Sequence, residues 1–133
     1  MKYLLDTHVL IYLGCGYTEQ IGKKALEIYK DPDTRVFVSQ ISFWEMAIKI
    51  NIGKLHIPIG LQNIIIQSQQ AGIETISVQN SHILHYQSLD VKENHNDPFD
   101  RLIIAQGRSE NIPIISKDKA FDYYDDMQRI WKF

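Results

Sequence analysis

The chain carries acidic residues where a charge is hard to accommodate. Asp97 and Asp100 sit in the stretch Asn96-Asp97-Pro98-Phe99-Asp100-Arg101-Leu102-Ile103-Ile104-Ala105-Gln106. Asp97 is a good N-cap, and Pro98 suits the first helical position, where its missing N–H costs nothing. Phe99, Leu102, Ile103 and Gln106 then fall near one side at helical spacing, with Ile104 broadening the apolar surface. The helix is therefore largely buried, yet two acids three residues apart share its first turn. Asp6 and Asp118 each close a short apolar run, Tyr3-Leu4-Leu5 and Ile112-Pro113-Ile114-Ile115. Glu45 projects only about 40° from Ile41 at 100° per residue, at the edge of an apolar stripe. Like charges packed together repel, and desolvation penalises each of them further. Such a cluster needs a compensating cation. Mg²⁺ suits it, since that ion takes carboxylates, retained waters and substrate phosphates. Two such ions can activate a water and neutralise a phosphodiester, so the chemistry implied is phosphodiester hydrolysis.

The elements around these acids bring them to one place. Tyr3–Leu5 reads as a buried strand, and Thr7 as the cap of a helix through Val9, Leu10 and Leu13 that stops near Gly14 and Gly16. Thr18 opens a second helix lined by Ile21, Ala25, Leu26 and Tyr29, ended by Asp31-Pro32-Asp33. Val36–Val38 is the next strand. Ser39 or Ser42 caps the helix that follows, with Ile41, Trp44, Ile48 and Ile52 as its apolar stripe and Gly53 at its close. Leu55 to Gly60 reads as a loop or short extended piece around Pro58. Leu61, Ile64, Ile65 and Ser68 mark another helix, ending at Gly72. Ile73 to Val78 alternates as a strand, and Ser81 to Leu89 is a helix. A polar connection, Asp90 to Asn96, leads to the acidic helix. Residues 112–115 form a strand, Ala120 to Tyr124 a helical turn, and Arg129-Ile130-Trp131 the last strand. Strands alternating with helices over short connections predict an α/β domain with a mainly parallel sheet and helices on both faces. In such folds ligands bind beyond the carboxyl ends of strands, where the winding reverses. Strand order 3-2-1-4-5 puts the strands of Asp6 and Asp118 side by side at that reversal.

Each acid also has a purely structural explanation. Asp6 can precede a helix cap, Asp97 and Asp118 can be caps, Asp100 can meet the helix dipole, and Glu45 can pair with Lys49 four residues on. Their joint arrangement is harder to explain that way. At 133 residues the chain fits a single domain, 1–133, long enough to bury a core. A net charge of −2 gives no global basic footprint, which weighs against holding nucleic acid by surface charge alone. It leaves room for an enzyme whose positive charge comes from bound metal. Cys15 is the only cysteine, so there is no disulfide framework and no cysteine-rich zinc site. This suits a reducing compartment. Lys2, the apolar run and Leu13-Gly14-Cys15 imitate a lipoprotein leader, but Asp6 and His8 interrupt it. No stretch is long and apolar enough to span a membrane. His82 and His85 share a helix face without an evident third ligand, which argues against zinc. Phe43, Trp44 and Tyr86 read as core or interface, and Ile11, Tyr12 and Tyr17 as an apolar patch for a partner.

The residues resemble those of PIN-domain ribonucleases, specifically toxins of the VapC type. The likeness rests on Tyr3-Leu4-Leu5-Asp6-Thr7-His8, Ser42-Phe43-Trp44-Glu45-Met46-Ala47-Ile48-Lys49, Gly53-Lys54-Leu55, the block from Asp97 to Gln106, and Ile115-Ser116-Lys117-Asp118. It implies a three-layer α/β/α fold and a Mg²⁺- or Mn²⁺-dependent endoribonuclease, the toxin half of a toxin–antitoxin pair. Such proteins are cytoplasmic, often dimeric, and restrained by a small antitoxin in the cleft. Asp6, Glu45, Asp100 and Asp118 would be the four catalytic acids. Asp97 would be an additional ligand, an outer group or only the cap. Thr7 and Ser116 would bind or orient near the metal. His95-Asn96 departs from the His-Arg that relatives often carry before Asp-Pro, so one basic group is missing from this loop. Arg101, Lys49, Lys54 and Lys117 are candidates for the RNA backbone, and Arg101 is equally a candidate to pair with an acid. Two rivals remain. One is a receiver-like module phosphorylated on a strand-end aspartate, in which Glu45 and Asp100 have no role. The other is a PIN-like fold kept only for binding, which the intact acids disfavour.

Overall fold

A computed structural model describes residues 1–131. Five strands form one sheet: β1 (Lys2–Leu5), β2 (Arg35–Ser39), β3 (Glu74–Ile76), β4 (Ile114–Ile115) and β5 (Arg129–Ile130). Their order is β3-β2-β1-β4-β5, and every pairing is parallel. The winding therefore reverses between β1 and β4, as read from the sequence. A receiver-like module follows order 2-1-3-4-5 instead, so that rival does not fit this sheet.

The central strands β1, β2 and β4 carry apolar runs because both of their faces are covered, whereas the edge strand β3, Glu74-Thr75-Ile76, is largely exposed. Side chains alternate between two cores. Tyr3, Leu5, Val36, Val38 and Ile115 point to one, and Leu4, Phe37 and Ile114 to the other. The first core is closed by α1 (Thr7–Gly14), α2 (Lys23–Lys30) and α4 (Leu61–Gln70) through Val9, Leu10, Ala25 and Ile64. The second is closed by α6 (Pro98–Glu110) through Ile103, Ile104 and Ala105, with α5 (Asn80–Gln87) packed on α6. The result is the three-layer α/β/α arrangement. Burying Ile103 and Ile104 is worth roughly 1.5–3 kcal/mol each, enough to hold the helix despite the charges at its start.

Several local readings change. The helix expected from Thr18 is a 3₁₀ turn, Thr18–Gln20, and α2 starts only after Gly22, because Ile21 is extended. Asp6, not Thr7, caps α1. Ser39 caps α3 (Gln40–Asn51), its Oγ accepting from the Ile41 N–H. The inward face of α3 is Ser42, Phe43, Glu45 and Met46, whereas Trp44 and Ile52 are 59% and 54% exposed. Phe43 and Met46 join the core that holds Val9 and Leu10 of α1, and Ser42 and Glu45 turn in beside them to meet the Thr7 hydroxyl. A glycine inside a helix, such as Gly107 in α6, ordinarily only loosens it. A Cβ there would lie 2.9 Å from Ile114 Cδ1 and 3.1 Å from the Ile112 carbonyl, so its lack of a side chain lets α6 approach β4.

Candidate active site

The sheet register sets the site. Leu5 pairs with Val38 on one side and Ile115 on the other, so the residues that follow, Asp6, Ser39 and Ser116, emerge at one level. Asp6 Oδ2 accepts from Ser116 Oγ at 2.8 Å, and Oδ1 accepts from the Thr7 N–H at 2.7 Å. Ser116 Oγ in turn accepts from the Asp118 N–H at 3.0 Å. One hydroxyl thus ties the two strand-end acids together. Asp118 Oδ1 caps the 3₁₀ turn Lys119–Tyr123 through the Ala120 N–H at 2.9 Å.

Glu45 arrives from α3 and is 2% exposed. Its Oε1 lies 2.9 Å from Thr7 Oγ1, which lies 2.8 Å from Ser42 Oγ. A carboxylate only accepts, so the single Thr7 proton goes to Glu45 and Ser42 donates to Thr7. Lys49 Nζ donates to Glu45 Oε2 at 2.7 Å. That bond, first among causes, raises the Lys49 pKa, and the charges of Asp97 and Asp100 add to it. Asp97 is the cap of α6, its Oδ1 accepting from the N–H groups of Phe99 and Asp100 at 2.8 and 3.3 Å.

Asp100 stands where these charges meet. Burial, followed by the charges of Asp6, Asp97, Glu45 and Asp118, pushes its pKa up to about 8. Burial also raises Asp6, against the opposing hydrogen bonds of Ser116 and Thr7. Ligand atoms of Asp100, Asp118 and His95 all lie within 4.8 Å of one another. Two full negative charges no farther apart than that repel by roughly 3.5 kcal/mol at an effective dielectric near 20, before the exposure of Asp118 screens part of it. That is still large for one pair in a fold only about 5–15 kcal/mol stable. Lys49 is the one lysine salt-bridged to the group among the described residues. It does not balance five acids. The oxygen-rich donor set therefore fits a hard divalent cation.

Most expected site residues meet here. Asp100 and Asp118 are adjacent, while Asp6 and Glu45 act on Asp100 through their charges but lie outside the tight group with His95. Arg101 does neither of the things expected of it. It is buried, donates to the Asp90 carbonyl at 3.0 Å and to Tyr124 Oη at 2.9 Å, and lies over the Tyr86 and Tyr124 rings. Lys54 and Lys117 are exposed, the latter beside Asp118 in sequence. His95 was noticed in the sequence only as part of a departure from the usual pattern. It is 6% exposed and faces both Asp100 and Tyr124. Burial, first among causes, holds its pKa below the usual imidazole value. A histidine in the polar stretch five residues before Asp100 was the available signal.

The PIN-domain family model matches residues 3–127, and the chain belongs to the PIN-domain family. No curated protein matches its sequence. Among solved structures it is similar to VapBC2 from Rickettsia felis bound to a promoter DNA fragment, with TM-score 0.70, 16% identity and coverage of 99% of this chain and 100% of that one. VapBC-1 from nontypeable Haemophilus influenzae gives TM-score 0.70 and 23% identity, covering 98% and 97%. VapBC-5 from Mycobacterium tuberculosis, a member of the VapBC family of toxin–antitoxin systems, gives 0.63 and 19%, covering 97% of each chain. At these identities the likeness is one of fold. Among the described residues, no helix is long and apolar enough to cross a membrane.

Proposed function

We propose that this PIN domain is a Mg²⁺- or Mn²⁺-dependent endoribonuclease, the toxin of a toxin–antitoxin pair acting in the cytoplasm as a dimer and restrained by a small antitoxin. The observation that carries the reading is Asp100, drawn up to about 8 by burial and by four neighbouring acids. A carboxyl so placed stays ionised at neutral pH only beside added positive charge. The resemblance of the motifs to VapC-type toxins and the fold likeness to VapBC proteins support the toxin assignment.

Asp6, Asp100 and Asp118 would hold the ion directly, and Glu45 directly or through water. A bound divalent ion supplies the charge that neutralises a phosphodiester and makes water acidic enough to attack it. The chain's own residues fix the geometry. Ser116 holds Asp6 and the Asp118 backbone in register, and Thr7 with Ser42 fixes one oxygen of Glu45. Lys49 neutralises the other oxygen, limiting the charge left for the ion to offset. Asp97 caps α6, which sets Asp100 in its first turn, near the positive end of the helix dipole. Lys54 and Lys117 would meet the RNA backbone from the exposed side.

The test is RNA cleavage with Mg²⁺ or Mn²⁺ by wild type, Asp6→Asn and Asp100→Asn. Cleavage by wild type and its loss in both variants is expected. Equal cutting by all three contradicts the assignment.

A further inference from the structure

We propose that His95, Tyr124 and Arg101 form a hydrogen-bonded relay that aims the Asp100 carboxylate at the acidic rim, making them positioning residues of the site. The inference rests on the metal-dependent reading above only for its consequence in binding; the relay itself stands on geometry. Tyr124 Oη accepts from Arg101 Nη1 at 2.9 Å. Its own proton has two acceptors on one residue, His95 Nδ1 at 2.7 Å and the His95 carbonyl at 3.4 Å. The shorter contact takes the proton. The neutral ring then keeps its hydrogen on Nε2, which faces Asp100 Oδ2 at 3.3 Å. Guanidinium, phenol and imidazole therefore donate in one direction, ending on the carboxylate.

The three residues are buried, and each is held a second way. Arg101 donates to the Asp90 carbonyl and lies over the Tyr86 and Tyr124 rings. The His95 ring packs against Phe121 and Tyr124 with centroids 5.6 and 5.5 Å away. The chain of donors connects the loop before α6, α6 itself and the segment after the second 3₁₀ turn. It explains why Arg101, one residue from Asp100, turns away from the acids. Its charge orients the relay instead of pairing with the rim. Groups that orient a ligand in this way are typically worth 10–100-fold in metal affinity or activity.

The test combines ring nitrogen chemistry with ion binding. In wild type, ¹⁵N spectra of the His95 ring are expected to show the proton on Nε2, and in Tyr124→Phe a shift toward Nδ1. Calorimetric titration with Mn²⁺ is expected to show about tenfold weaker binding in Tyr124→Phe and His95→Ala. His95→Gln, which keeps an N–H of similar reach, recovers most of it. RNA turnover in the two weakened variants falls in kcat, with KM for RNA unchanged. A wild-type ring protonated on Nδ1 overturns the relay. So does Mn²⁺ affinity in both weakened variants within twofold of wild type. If Tyr124→Phe fails to fold, the His95→Ala and His95→Gln pair decides. If wild type binds no Mn²⁺, the metal reading fails instead, and the tautomer alone decides the relay.

Discussion

The two ends of α6 handle buried polarity in opposite ways. At its C-terminal end, fully buried His82 is satisfied by its neighbours. Its Nδ1 accepts from the Gln79 N–H at 3.0 Å, and Nε2 meets Glu110 Oε1 at 2.8 Å. Gln106 Nε2 lies against the same ring, leaving Gln106 Oε1 as a buried acceptor without a partner among the described residues. The ring there has a partner at each nitrogen, and the one acid beside it meets an N–H rather than another acid. At the N-terminal end, Asp97, Asp100 and the acids of three other elements accumulate one sign of charge. A ring paired at both nitrogens explains itself as structure. A cluster that raises its own carboxyl to about 8 calls for something from outside.

The largest expected contrast follows from changing one side chain at each end. Asp100→Asn is predicted to reduce RNA cleavage by about 100-fold or more, the loss of roughly 2.7 kcal/mol of barrier stabilisation. The same change is expected to leave the metal-free protein as stable as wild type or more so at pH 8, since it removes a buried like charge. Thermal melts in chelator beside the cleavage assay check both halves. His82→Ala should do the reverse. It leaves the Gln79 N–H without its acceptor and opens a cavity where the fully buried ring stood, costing about 2–3 kcal/mol, while cleavage by the folded fraction stays within about twofold of wild type.

A smaller effect tests the charge itself. Folded Asp100 keeps its proton up to about pH 8, whereas the unfolded chain releases it near 3.8. Between those values the native state binds more protons, so its contribution to stability falls as pH rises. In chelator, wild type should therefore lose stability relative to Asp100→Asn from pH 5 to 8, as denaturant titrations would show. Saturating Mn²⁺ should flatten that difference. The smallest effect lies in packing. Gly107→Ala gains up to about 1 kcal/mol of helix propensity but forces the added carbon onto Ile114 and the Ile112 carbonyl. A net loss of about 1 kcal/mol is expected, with cleavage unchanged. A stabilised Gly107→Ala protein would show that α6 can move off β4.

The centre of the sheet was legible because three of its strands are apolar runs that stop at Asp6, Ser39 and Ser116, and because α6 announces its start with Asp97-Pro98. The gathering of acids followed from the order of those strands. The orientation of α3 was not legible. Ile41, Trp44, Ile48 and Ile52 form the better apolar stripe, yet the helix buries Glu45 and Ser42, since the partner they meet is the Thr7 hydroxyl on α1. No periodicity carries a contact made between residues 35 and 38 apart in sequence. Arg101 misled for a related reason. A basic side chain beside an acid suggests a salt bridge, but its partners, Asp90 and Tyr124, come from separate segments. His95 escaped because its role depends on Tyr124, 29 residues on.

The central claim is that a divalent ion offsets the acids gathered at this rim. Anomalous scattering from crystals grown with Mn²⁺ tests it directly. The account predicts a manganese peak coordinated by Asp100 and Asp118 on the side of Asp6, lost in Asp100→Asn. Crystals saturated with Mn²⁺ that show no peak there, with the carboxylates in place, would contradict it.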